Sequence, residues 1–423
     1  MSAPAATPSD ADAVPPAAVS TDGSRDAEDG SGTPDRDALK APGSAPAAGG
    51  RRWRWRWPDA TPALLGYALV RFVGLLILVV FAWRAGPDPW WLLTGRFDSG
   101  WYQQIAVQGY DSAIPLQPDG SFRSSNLAFF PLLPLLIDVL TAVTPLSPAA
   151  AGLIVAWLAS LAAAWGLYAV GRHLHSRAVG VLLAMLWGAV PHAVVQSMAY
   201  SEPLFVAFAA WSLYALLRRE WLLAGALCLV AGLARPTASA LIAAVGLTAL
   251  VAIFRRQDGW RPWAAAALAP LGYLGYLTFV GLRLGRLDGY FYVQRESWGN
   301  TFDGGADTIS AMNEVLTKPQ LLAFYMVTLL IGIAIMLTVL LLLDRYPLPV
   351  LAFSVVSVAF VLGTAGAYYG KGRYLMPVFT LLLPVATALA AARRRTQVVV
   401  LTFLVLTSGW YAAYLTLDWR WSP

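Results

Sequence analysis

The sequence predicts an all-α polytopic membrane protein with about 11 transmembrane helices, and three observations carry that expectation. Of its 423 residues, 58% are hydrophobic and 13% are charged, too few charges for a soluble domain of this length. Mean hydropathy is +0.58. Apolar runs of about twenty residues, long enough to cross a bilayer as a helix, recur along the chain. Arginines gather at the ends of these runs, so the net charge of +6 reports topology rather than nucleic-acid binding.

Residues 1–50 differ from the rest. They are rich in Ala, Pro, Ser, Gly and Asp, and are expected to be a disordered cytoplasmic tail. The basic start and apolar stretch of a cleaved signal peptide are missing from this segment. Residues 51–423 are expected to form one integral-membrane domain. Its first stretch, Arg51-Arg52-Trp53-Arg54-Trp55-Arg56-Trp57, reads as a cytoplasmic anchor with tryptophans at the headgroups; a dedicated lipid-binding segment is the alternative.

The expected spans are Pro62–Trp83, Ala149–Val170, Ala178–Met198, Glu202–Leu217, Trp221–Leu233, Ala238–Phe254, Trp263–Leu282, Gln320–Leu343, Leu348–Ala367, Leu375–Ala392 and Gln397–Leu415. A further apolar stretch, Leu127–Val143, is assigned by charge. Arg172/Arg177, Arg218/Arg219, Arg255/Arg256/Arg261, Arg345 and Arg393–Arg395 all fall in the cytoplasm only if this stretch does not cross. Pro131, Pro134 and Asp138 within it suit a membrane-parallel or re-entrant helix. The N-terminus is then inside and the C-terminus outside. Two long outer loops, residues 84–148 and 283–319, flank short polar corners at Tyr200-Ser201-Glu202, Arg235-Pro236-Thr237 and Tyr368–Tyr374.

That outer face holds the candidate chemistry. Asp98, just past the first span, is placed to accept a proton from a substrate hydroxyl at the membrane surface; capping the helix near Ser99 is its structural role. Trp101, Tyr102, Ile105 and Ala106 form an apolar stripe along the following segment, while Arg96 pairs with Asp98 or snorkels. Lys371 and Arg373 oppose the positive-inside bias, and a bound phosphate would explain them, with neighbouring glycines leaving room for it. Arg235 breaks the same rule and is a further phosphate candidate, or caps a helix carbonyl. Glu202 suits the first turn of its span and could also hold a sugar hydroxyl or an arginine. His192, after Pro191, reads as a hydrogen-bonded neighbour of a kink. Asp288, Asp303 and Asp307 read as solvated loop acids, with a cation site the weaker alternative.

Three histidines without ligand spacing give no zinc signature, and Cys228 stands alone in an apolar run. No Walker loop, dinucleotide fingerprint or nucleophile elbow occurs, which disfavours nucleotide-dependent chemistry on the cytoplasmic side. No nucleic-acid-binding module is visible.

Arg96-Phe97-Asp98-Ser99-Gly100-Trp101-Tyr102, with Ile105-Ala106 and Gly109-Tyr110, resembles the first outer loop of the PIG-V (GPI mannosyltransferase 2-like) mannosyltransferase family. Phe129-Phe130-Pro131-Leu132-Leu133-Pro134-Leu135, Tyr200–Phe205, Arg235-Pro236-Thr237 and Gly372-Arg373-Tyr374-Leu375-Met376-Pro377 are similar to further blocks in the same order, from about Trp57 to Pro377. The departures are Phe97, where the family commonly has Trp, and Pro203, where it often has Ser. The alanine-rich composition suits a bacterial member from a high-GC, actinobacterial genome.

The resemblance implies a GT-C fold, with membrane-parallel helices in the first outer loop, and a polyprenyl-phosphate sugar donor. It makes Asp98 the base of an inverting mannosyl transfer to a lipid, glycan or protein acceptor. Lys371, Arg373 and Arg235 would hold the donor phosphate, with Trp101, Tyr102, Glu202 and Tyr374 around the substrate. No cofactor is required, and a divalent metal is left open. A flippase for lipid-linked sugars is the rival from another class; it would spread charged residues through the depth of the bundle, whereas here they gather at the outer rim. An inactive scaffold of the same fold is the third possibility.

Overall fold

The computed structural model describes residues 57–423. The tail and the basic, tryptophan-rich stretch before Trp57 lie outside the described residues. Helix α1 (Trp57–Ala85) runs beside α18 (Arg394–Ala413) and α6 (Arg177–Gly188). Helix α5 (Pro148–Leu174), capped by the Ser147 hydroxyl on the Ala150 amide, packs on α6 and α7 (Glu202–Leu217). Small residues make these approaches possible: a Cβ on Gly180 would lie 2.5 Å from the Tyr168 carbonyl oxygen. Next in order are α8 (Trp221–Gly232), α9 (Ala238–Phe254), α10 (Arg261–Leu268), α11 (Leu271–Leu284), α14 (Leu322–Leu343), α15 (Leu348–Gly363) and α17 (Leu383–Ala391).

Each expected span is helical over most of its length, but the helices differ in reach. Five are long and apolar enough to cross a membrane unaided: Asp59–Ala85, Pro148–Leu174, Arg261–Leu284, Leu322–Leu343 and Arg394–Asp418. The segment expected at Leu375–Ala392 belongs to a pair, Tyr368–Leu375 and Phe379–Ala391, bent by 67° at the break containing Pro377. The segment expected at Ala178–Met198 stops at Gly188 before Pro191 and resumes as a 3-10 turn, Ala193–Gln196. Arg71 of α1 reaches that break, donating to the Gly188 carbonyl (3.0 Å) and to the Ser197 hydroxyl (2.7 Å). Helices α7, α8, α9 and α15 have 12 to 17 residues, so they extend roughly 18–26 Å, short of an apolar slab about 30 Å thick.

Residues 84–148 contain α2 (Pro89–Thr94), α3 (Asp98–Gln108), a 3-10 turn and α4 (Leu132–Val143). The twelve residues of α4 extend about 18 Å, the same length as α6 and α8. The other long loop holds α12 (Gly289–Trp298), strand β1 (Thr301–Phe302) and α13 (Ala306–Thr317). Strand β1 pairs antiparallel with β2 (Thr364–Ala365), Thr301 opposite Ala365. This small ribbon, which hydropathy did not foretell, ties the loop to the end of α15 just before α16 (Lys371–Leu375).

Candidate active site

Four charged side chains from four separate segments meet in an alternating row. Asp98 opens α3, Glu202 opens α7, Arg235 lies between α8 and α9, and Arg373 lies in α16. Arg373 Nη1 is 2.7 Å from Asp98 Oδ2, and its Nε is 3.3 Å from Glu202 Oε1. Arg235 Nη1 is 2.7 Å from the same Glu202 oxygen and donates to the Ser201 hydroxyl at 3.1 Å. The row is neutral in sum, as buried charges must be to avoid a large desolvation cost. Glu202 is fully buried, yet both of its contacts are ion pairs without hydrogen-bond alignment.

Arg373 is further held between two rings, with its guanidinium 5.4 Å from the centre of Tyr200 and 5.3 Å from that of Tyr374. Its backbone is set by a close approach: a Cβ on Gly372 would meet the His192 ring at 2.2 Å. His192 packs edge-on against Tyr411 at 5.4 Å, and neither ring nitrogen hydrogen-bonds to any described residue. The expected hydrogen-bonded kink neighbour is instead a steric wedge behind Arg373.

Asp98 does not cap α3. The N-cap position is Phe97, at φ 56° and ψ −130° with no side-chain cap bond, and Asp98 is already helical. A non-glycine residue in that region is strained, and here the strain turns the Asp98 carboxylate toward Arg373. Asp98 Oδ1 accepts from the Ser422 hydroxyl at 3.2 Å, and the Asp98 amide donates to Tyr200 Oη at 3.3 Å. Arg96 neither pairs with Asp98 nor snorkels: it donates to the carbonyls of Thr416 and Trp419 and lies over Phe97, 4.6 Å from the ring centre.

The row opens into a cavity of about 590 Å³ with Asp98, Tyr102, Phe129, Arg235, Arg373 and Tyr374 in its wall. Tyr290, Gln294 and Trp298 of α12 close the opposite part of the lining. Tyr102 bonds to the Ser201 hydroxyl at 2.6 Å, and burial pushes its phenol well above the ordinary tyrosine range, so it is a neutral hydroxyl at any working pH. Trp101 is one layer back, stacked on Phe129 at 5.7 Å and edge-on to Trp298 at 5.6 Å, and does not line the cavity. It supports the wall rather than touching what the cavity holds.

Lys371 is also absent from the cavity lining, although the same charge argument pointed to it and to Arg373. Its ammonium is buried and donates to the Val361 carbonyl (2.9 Å), the Thr364 carbonyl and the Thr364 hydroxyl (3.3 Å). These are the free acceptors at the end of α15, so Lys371 is a helix C-terminal cap. Lys371→Met removes these bonds; the Val361 carbonyl keeps the Thr364 hydroxyl at 2.9 Å, so the loss falls on the Thr364 carbonyl, at about 1–3 kcal/mol. The variant is expected to melt earlier in detergent, which a thermal-shift series checks.

Sequence reasoning passed over Tyr200, Ser201 and Ser422. Tyr200 and Ser201 stood in the outer corner beside Glu202, where a polar neighbour of a buried acid was a usable signal. Ser422 had none. Two acids of the other long loop are occupied locally, Asp288 by Arg286 at 3.0 Å and Asp303 by the Gly305 and Asp307 amides, while Asp307 accepts from the Gly366 amide at 3.4 Å.

No protein-family model matches the chain, and no curated protein matches it significantly. Among solved structures it is similar to ArnT from Cupriavidus metallidurans bound to undecaprenyl phosphate, with a TM-score of 0.50 and 14% identity, covering 82% of this chain and 63% of that one. The fold is of the GT-C type. The apo form of ArnT gives a TM-score of 0.47 at 13% identity, covering 78% of this chain and 60% of that one. Archaeal oligosaccharyltransferase AglB from Archaeoglobus fulgidus, in complex with an inhibitory peptide and a dolichol-phosphate, gives 0.44 at 14% identity, covering 87% and 57%. At such identities the likeness is one of fold, and the chain spans less than two thirds of those proteins.

Proposed function

We propose that the protein is an inverting glycosyltransferase that moves mannose from a polyprenyl-phosphate donor to an acceptor hydroxyl at the extracytoplasmic membrane face. The observation that carries this reading is the row Asp98–Arg373–Glu202–Arg235 at the wall of an aromatic cavity. It sets an acid that can take a proton beside two cations that can hold a phosphate. Asp98 removes the acceptor proton, the acceptor oxygen attacks the anomeric carbon, and the phosphate departs with the bonding electrons toward Arg373 and Arg235. Glu202 positions both guanidinium groups, and Tyr374 flanks the sugar. The fold of ArnT, solved with undecaprenyl phosphate bound, supports a lipid-phosphate donor. PIG-V membership rests on the sequence blocks alone.

The four charges are gathered in one cluster. The flippase alternative predicts charge distributed through the depth, and Arg71 at the α6 break is the exception, held there by a backbone carbonyl and a serine. Purified protein incubated with labelled polyprenyl-phosphate mannose and candidate lipid, glycan and peptide acceptors should yield a mannosylated product. Translocation of the donor without any product would favour the flippase.

Sidedness has its own test. Ser147→Cys, beyond α4, should react with an impermeant thiol reagent from the same side as a cysteine at Ser121 in the first loop. Labelling from the cytoplasm alone would place α4 across the membrane and move the site to the other face.

A further inference from the structure

Next to the row, one hydroxyl is already seated where a substrate hydroxyl would have to be. Ser422 Oγ lies 3.2 Å from Asp98 Oδ1, 2.6 Å from Arg373 Nη1 and 3.1 Å from Tyr200 Oη. Arg373 can only donate, and Asp98 in the ionised form that a base requires can only accept, so the single Ser422 proton goes to Asp98 and Tyr200 Oη is left to donate to Ser422. Ser422 therefore donates once and accepts twice. Both of its lone pairs are taken, and an oxygen in that state cannot attack carbon.

The segment carrying Ser422 is held at one end. Trp419 is buried, its amide bonds to the Tyr414 carbonyl and its carbonyl accepts from Arg96. Arg420 and Trp421 are exposed, and residues 420–423 make no backbone–backbone hydrogen bond among the described residues. Trp421 lies against Tyr369 and Trp419, with ring centres 5.6 and 4.9 Å away. Beyond Trp419 the chain thus stays in place through side chains, of which Ser422 enters the site.

We propose that Asp98 Oδ1 and Tyr200 Oη form the acceptor-hydroxyl subsite, and that Ser422 is its resident occupant, displaced when an alcohol substrate binds. The proposal rests on the glycosyltransfer reading above and adds Tyr200 as the residue that orients the acceptor oxygen. The geometry also sets an order. A donor phosphate that engages Arg373 removes one of the two hydrogen bonds into the acceptor oxygen. What remains is an oxygen that donates to Asp98, accepts from Tyr200 and has one lone pair free to attack.

Water can test the subsite before an acceptor is known. In hydrolysis of polyprenyl-phosphate mannose, the water oxygen bonds to the anomeric carbon as the bond to the phosphate oxygen breaks. Asp98 takes the proton, and the phosphate leaves with the electron pair. Ser422→Ala in the full chain should raise release of free mannose about fivefold, the scale of one net hydrogen bond. Tryptic cleavage after the exposed Arg420 should also speed up, a readout that needs no activity. In that background, Tyr200→Phe should lower release again, because the entering water loses its donor.

A wild type that hydrolyses donor while Ser422→Ala changes neither release nor cleavage would overturn the subsite alone. Lower release in Ser422→Ala would do the same, since it makes Ser422 part of the active arrangement. Faster cleavage in the variant, with no hydrolysis or transfer by any form, would instead overturn the glycosyltransfer reading and the subsite with it.

Discussion

Asp98→Asn should lower transfer at least ~100-fold, the usual range for removing a general base. The substitution keeps the size of the side chain and an oxygen for Arg373 and Ser422. It cannot take a proton at neutral pH. Because Asp98 is not the cap of α3, the helix should form as before and protein yield should change little. The residue also holds Arg373 at 2.7 Å, so two roles must be separated. Loss of the base lowers the single-turnover rate at saturating donor; loss of arginine positioning weakens donor binding. The expected outcome is a large fall in rate with donor affinity within about threefold of wild type, since Glu202 still pairs with Arg373. Near-normal turnover would remove Asp98 from the base role.

The membrane class was legible because hydropathy is a property of local sequence. So were Asp98, Glu202, Arg235 and Arg373 as candidates, each a charge in a polar corner between apolar runs. Their pairing was not. Asp98 and Arg373 are 275 positions apart, and only the packing of α3, α7 and α16 brings them together. Lys371 and Arg373 obeyed one sequence argument and came to different ends, because the former lies within reach of the open carbonyls where α15 stops. Span lengths failed for a similar reason: counting apolar residues does not register the break at Pro191 or the 67° bend at Pro377. Ser422 depends on where Trp419 anchors, a tertiary event without a local signature.

Arg373→Ala should produce the second large effect, weakening donor binding and slowing the transfer step together. The leaving phosphate gains charge as the anomeric bond breaks, so a buried guanidinium stabilises the transition state more than the bound donor. Removing one such charge-assisted contact typically costs about 10²–10³ in rate. Arg373→Lys separates this role from plain charge. An ammonium restores the positive charge but not the fork that spans Asp98 Oδ2, Glu202 Oε1 and Ser422 Oγ at once, nor the flat face held between Tyr200 and Tyr374. Rescue should therefore be partial, returning binding more than rate. Were Arg373 only an anchor of the bundle, lysine would substitute fully, and alanine would show as poor insertion or early melting with unchanged kinetics in the folded fraction. Donor affinity and single-turnover rate in nanodiscs, beside a melting curve for each variant, decide between the two. Unchanged values for Arg373→Ala would move the phosphate to Arg235, which shares the Glu202 oxygen and lines the same cavity.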